Sequence, residues 1–204
     1  MDQKQKIIIE AFQLFARYGI KSITMDDIAR HLSISKKTLY ECFEDKDELV
    51  YEAIMHKIEI IQRDMMQTQK ESHDAIDELI RASDYTSKML KGMNPSALMD
   101  MRKYHARAWE AFHNHQKGFF MTMVKDNLKR GVAQGLYREG MDLQIVALQR
   151  MYEVEMCMQP DKFPIDQFNI DKVQLQVMDL FMHGISTLKG HKLINKYKKI
   201  KEEE

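Results

Sequence analysis

Cysteine is nearly absent from this chain of 204 residues. Cys42 and Cys157 stand alone and far apart, which excludes a disulfide framework and any paired-cysteine metal or redox motif. Three prolines and eight glycines are few for this length, and long alternating strand patterns are missing, so the chain reads as all-α. No stretch reaches the about eighteen apolar residues of a membrane span, and the start MDQKQK lacks the apolar run of a secretory leader. The expectation is a cytoplasmic protein without a membrane partner. No glycine-flanked serine and no phosphate-cradling glycine loop occurs, which leaves the common nucleophilic and nucleotide-binding motifs without a site. Charge of one sign is also missing: 31 Lys and Arg balance 31 Asp and Glu.

What is present concentrates in the first fifty residues. From Lys6 to Tyr18, Ile8, Ala11, Phe12, Phe15 and Tyr18 recur at helical spacing and leave Glu10, Gln13 and Arg17 on the other face. Gly19 follows where a left-handed residue stops a helix. Thr24 with Asp27 three residues on predicts a capping box, and Asp26 and Asp27 suit the positive start of a helix running to about Leu32. Ser35 predicts a second cap, opening a short helix that ends near Phe43.

The first turn of that helix holds Lys36, Lys37 and Thr38. Two lysines there oppose the helix dipole at roughly 0.3 to 1 kcal/mol each, so local stability does not explain them. An anionic partner does, because free amides at a helix start and lysine both bond phosphate, with base edges just beyond. Tyr40 has a plain packing reading, its ring against Leu39 and Phe43 with the hydroxyl left in water. Residues 1 to 49 hold eight Lys or Arg against nine Asp or Glu, so attraction must come from local placement at Lys21, Arg30, Lys36, Lys37 and Lys46 and not from bulk charge.

The series of an amphipathic helix ending in YG, then TMDDIA, then SKKTLYECF and DKDEL resembles the DNA-binding domain of the TetR family of bacterial transcriptional regulators over residues 5 to 50. The stretch GVAQGLYREGMDLQIVA is similar to that family's link between its seventh and eighth helices. The resemblance implies an N-terminal three-helix helix-turn-helix domain, residues 1–47, and a larger helical effector-binding and dimerisation domain, residues 48–204, with about nine helices in all. It implies that Thr24, Tyr40 and Lys46 hold DNA phosphates, while Ser35, Lys36, Lys37 and Thr38 meet bases and backbone of a double-stranded operator. Two departures stand out: the family often has glycine where this chain has Ser33, and histidine where it has Cys42.

Periodicity predicts a long helix from about Lys46 to Gln69, another from His73 to about Lys91 with a shorter one capped by Asn94 or Ser96, and a bulky one from His105 to Arg130. Helices from Asp142 to about Met158 and Asp171 to about Leu188 follow, and KYKKIKEEE reads as a solvated helix end. The last two long helices carry more apolar surface than one inward face uses. Either both are buried in a monomer or, as the resemblance implies, they form a homodimer through a four-helix bundle. Dimerisation would set two readers about 34 Å apart, or a multiple, along a palindromic duplex.

Seventeen methionines supply adaptable packing, either a core or a pocket that reshapes around an apolar or aromatic effector. Such a small-molecule effector is implied by the resemblance, and Tyr85, His105, Trp109, Phe112 and Tyr152 are the candidate lining residues because each offers an aromatic or imidazole surface. Glu110 and His113 have the Glu-x-x-His spacing of di-iron bundles, but one copy falls short of the two such helices and two further glutamates that site needs. No catalytic residue, metal ligand or cofactor is therefore assigned. The expectation is a repressor released from its operator by an effector. The alternatives are an effector-independent regulator or activator and, far behind, a helical metal enzyme.

Overall fold

The computed structural model describes residues 2–164 and 166–200. Among these the chain forms eleven α-helices: α1 (Gln3–Tyr18), α2 (Met25–His31), α3 (Lys36–Cys42), α4 (Lys46–Glu71), α5 (Ala75–Leu90), α6 (Ser96–Tyr104), α7 (Ala106–His115), α8 (Met121–Ala133), α9 (Leu143–Cys157), α10 (Ile170–Ile185) and α11 (Leu188–Lys198). No strand occurs among the described residues, only a single bridge between Tyr137 and Ser186. No helix among them is long and apolar enough to cross a membrane. The backbone clusters into two compact units, residues 1–63 with 92–115 and residues 64–91 with 116–204.

In the first unit the apolar stripe of α1 meets α2, α3 and the start of α4. Ile7, Ala11, Phe15, Ile28, Leu39, Phe43, Leu49 and Ala53 are buried in one core, which α6 and α7 join through Ala97, Met101 and Ala108. At about 25 cal/mol per Å² of apolar surface, this return of α6 and α7 supplies burial that fifty residues alone could not.

The second unit is built on α5, α8, α9, α10 and α11, with Ile76, Leu128, Tyr137, Ala147, Phe181 and Ile194 at its centre. The GVAQGLYREG stretch is its corner. Tyr137 lies flat on Gly131, where an added Cβ would fall 1.9 Å from the ring, and its hydroxyl donates to the Ala75 carbonyl at 3.0 Å. Asn127 Nδ2 donates to the same carbonyl at 2.9 Å, so the buried polar groups satisfy one another. Glu78 is pushed up by burial, and its partner Arg130 sits at 3.2 Å.

Two expectations need correction. The expected helix from His105 to Arg130 is divided into α7, a π-helical turn over Gln116–Phe120 and α8. Gly118 stands in that turn, where weak helix preference permits the wider winding. The last long helix stops at Ile185, three residues before the expected end, because Ser186 is extended and Thr187 caps a new helix by accepting from Gly190 N–H at 3.2 Å. That new helix, α11, is one the periodicity did not predict: Ile194 is fully buried in it, while the start of the basic tail forms its solvated end, with Lys196, Lys198, Lys199 and Ile200 exposed and Tyr197 donating to Asp74 at 2.6 Å. Residues 201–204 of the tail lie outside the described residues.

The second unit also leaves apolar side chains outside. Ile145, Tyr152 and Met156 are exposed along one face of α9, and Leu175 and Leu180 along α10. Between these helices a groove of about 390 Å³ is lined by Met141, Ile145, Val146, Leu180, Phe181 and Gly184 among others.

Candidate nucleic-acid interface

The expected caps form. Asp27 N–H donates to Thr24 Oγ1 at 3.1 Å and Thr24 N–H donates to Asp27 Oδ2 at 3.0 Å, which completes the capping box of α2. The Thr24 hydroxyl and amide bonds hold the Asp27 carboxyl below its usual range. Thr38 N–H donates to Ser35 Oγ at 3.0 Å at the start of α3. The turn between them passes through Ser33 at φ 54°, the left-handed conformation that glycine adopts more readily. Ser33 therefore holds the turn at a cost that a glycine would not carry.

With the turn closed, α3 presents its first residues outward. The Lys37 side chain is 88% exposed, within 3.9 Å of Glu41. Lys36 reaches back to Asp26 on α2. This pair is screened and weak, so a phosphate can displace the acid with little penalty. Tyr40 is 52% exposed while Leu39 and Phe43 are buried, so its ring is not part of their core. Lys46 occupies a different setting. Its ammonium donates to the Ile20 carbonyl at 2.6 Å and burial pushes it below the ordinary lysine range.

These side chains share a support that the linear sequence did not disclose. The backbone N–H of Lys21 donates to Asp100 on α6 at 2.8 Å, and Asn94 N–H donates to the Ala16 carbonyl at 2.7 Å. His105 Nδ1 and Asp47 Oδ1 are 2.7 Å apart. The loop before α2 is thus bonded to the middle of α6 and the first turn of α4 to the residue that caps its end, across separations of 79 and 58 residues. Such contacts have no periodic signature. Gly19, at φ 85°, is the one hint, since a Cβ there would meet Ser96 Oγ at 2.7 Å.

The five candidate effector residues do not share one cluster. His105, Trp109 and Phe112 belong to the first unit: His105 is buried against Asp47, while Trp109 and Phe112 pack on the α1–α4 core with ring centroids 5.9 Å apart. Tyr85 and Tyr152 belong to the second, Tyr85 half-buried on α5 and Tyr152 60% exposed on α9. His113, from the Glu-x-x-His pair, stacks on Trp109. Among the described residues no group of three or more His, Cys, Asp or Glu is placed to hold a metal ion.

Residues 7–53 match the model of the N-terminal domain of the bacterial regulatory proteins, tetR family. The uncharacterized HTH-type transcriptional regulator YvaF of Bacillus subtilis is 24% identical over 193 residues, 89% of this chain and 95% of that protein. An HTH-type transcriptional regulator of Staphylococcus aureus is 31% identical over 84 residues, covering 41% of this chain and 45% of its own. Among solved structures, a transcriptional regulator of Cytophaga hutchinsonii superposes with a TM-score of 0.69 at 20% identity, covering 91% of this chain and all of that one. FadR of Bacillus subtilis, solved in complex with stearoyl-CoA, gives 0.66 at 18% identity over 89% of this chain and 99% of its own. A regulator of Saccharomonospora viridis in complex with choline gives 0.68 at 15%, with coverage of 90% and 97%. These relatives are regulators and not enzymes. Residues 7–53 with their capped helix-turn-helix are thus similar to the DNA-binding domain of the tetR family of bacterial regulatory proteins, and the helical layout as a whole has the fold of the solved regulators.

Proposed function

We propose that this protein is a cytoplasmic homodimeric repressor that leaves a palindromic operator when a small apolar or aromatic effector binds. Residues 1–47 form the DNA-binding domain in this reading. Residues 48–204 bind the effector and dimerise. That functional division differs from the two compact units because α6 and α7 return to the N-terminal core. Thr24, Tyr40 and Lys46 clamp phosphates, and Ser35, Lys36, Lys37 and Thr38 enter the groove.

The observation that carries the regulatory part is the bonding of α6 to the reader: Asp100 to the Lys21 amide and His105 to Asp47. A ligand that favours one position of α6 over another shifts the loop before α2 and the first turn of α4 with it. Complexes of similarly folded regulators with stearoyl-CoA and choline support a ligand in the helical domain. For the dimer, the support is the uncovered face of α9 and α10. Gly184 lies on it, and a Cβ there would meet nothing within the protomer, so its own fold does not require the glycine. Close approach of a second copy does.

Selection of bound fragments from the source genome supplies the operator, and fluorescence anisotropy with candidate ligands tests release. A ligand that raises the melting temperature and lowers operator affinity supports the repressor. Operator affinity untouched by every ligand that stabilises the protein would favour the effector-independent regulator.

A further inference from the structure

Residues 1 to 49 carry one more acid than base, so a reader of DNA built from them alone lacks cations. The end of α6 provides some. Tyr104, its last residue, is exposed, with the Lys103 ammonium 5.2 Å and the Lys21 ammonium 5.6 Å from its ring centroid. Lys21 sits in the loop three residues before the Thr24 cap, and the same loop provides the Ile20 carbonyl that Lys46 holds. Asp100 fixes the arrangement by accepting from the Lys21 amide, which uses its carboxylate on the backbone. Hydrogen bonding to Lys103 above all, with Lys21 adding to it, holds the Tyr104 phenol below its usual range, a sign of local positive potential.

Two ammonium groups and a phenol hydroxyl on a solvent-exposed loop edge form a donor set that matches a phosphate: two point charges and one directional O–H. We infer that Lys21, Lys103 and Tyr104 grip a phosphate of the operator backbone beside the one at Thr24, extending the DNA footprint onto α6. This rests on the DNA-binding reading above. It also gives α6 a direct part in affinity, because any shift of that helix moves Lys103 and Tyr104 relative to the duplex.

The test uses full-length protein and a duplex captured by it from the genome. Operator affinity is measured between about 50 and 300 mM salt for wild type, Lys21→Gln, Lys103→Gln, Lys103→Arg and Tyr104→Phe, with Lys172→Gln on α10 as the distant control. Loss of one phosphate contact flattens the plot of log affinity against log salt by about 0.9. The expected result is that flattening in both glutamine variants, retention of the slope in Lys103→Arg and in Lys172→Gln, and a several-fold loss of affinity in Tyr104→Phe. Melting curves matching wild type establish that the folds are intact. Wild-type slopes in both glutamine variants would overturn the inference while leaving the DNA-binding reading in place. Failure of wild type to capture any specific duplex would overturn that reading, and this inference with it.

Discussion

The Lys46 ammonium donates to the Ile20 carbonyl at 2.6 Å, joining the first turn of α4 to the loop that leads into α2. The bond closes the reader on itself, since α3 and its lysines lie between those two points in sequence. Replacing Lys46 with methionine keeps the aliphatic stem and removes the donor. The expected result is a loss of about 1 to 2 kcal/mol in stability, read by urea denaturation, together with at least tenfold weaker operator binding. An unchanged affinity would remove Lys46 from the contact set.

Ser33 offers the opposite case. Its φ of 54° strains a side chain that packing does not require. Ser33→Gly is expected to stabilise the protein by roughly 0.5 to 1 kcal/mol, and Ser33→Val to destabilise it by more. Thermal melts of the two variants decide this, and stabilisation by valine would contradict the strain.

The corner at Gly131 leaves no room for adjustment. An added Cβ would sit 1.9 Å from the Tyr137 ring, which is buried and bonded at its hydroxyl to both Ala75 and Asn127. Gly131→Ala should therefore cost on the order of 2 to 4 kcal/mol, in spite of alanine's better helix propensity. Denaturant melts that show a neutral or stabilised variant would mean that the corner repacks freely.

Acid should weaken the second unit through Asp77. Burial pushes its carboxyl up, but bonds from Arg81 and from the His73 amide and ring outweigh this and hold it at about 2, against 3.8 unfolded. A depressed carboxyl contributes stability that is present above the unfolded value and is lost as pH falls from about 4 through 2. Asp77→Asn should cost about 2 kcal/mol at pH 7, and the gap to wild type should shrink across that window. A gap of constant size from neutral pH to pH 2.5 would refute the ion-pair account.

Much of this is legible in the sequence. Thr24 with Asp27 and Ser35 with Thr38 are local pairs, so spacing alone announced the caps that now bond at about 3 Å. Helix α11 was missed although Gly190, Ile194 and Tyr197 repeat at helical spacing, because the many lysines around them hid the stripe. For Trp109 and Phe112 the sequence does not tell which: a bulky stripe reads the same whether it lines a cavity or packs against a core, and both are half-buried against the core of the first unit. The bonds from Asp100 and His105 had no signal at all, being set by how α6 returns to α1 and α4.

Dimerisation is tested on the exposed face. Leu180 is 65% exposed on α10, beside Gly184 and across the groove from Ile145. Leu180→Glu should leave the protomer folded and convert a dimer to a monomer at micromolar concentration, with operator affinity falling at least a hundredfold as paired half-sites are lost. Light scattering reads the mass. A wild-type protein that is already monomeric there would place the dimer elsewhere or nowhere.

The most direct measurement is anisotropy of the captured operator and of a scrambled duplex of equal length, titrated with wild type and with Lys37→Ala at physiological salt. The account predicts tight binding to the operator alone, at least a thousandfold over the scrambled duplex, and a tenfold or greater loss in the variant. Equal affinity for both duplexes, or a variant that binds the operator as well as wild type, would contradict it.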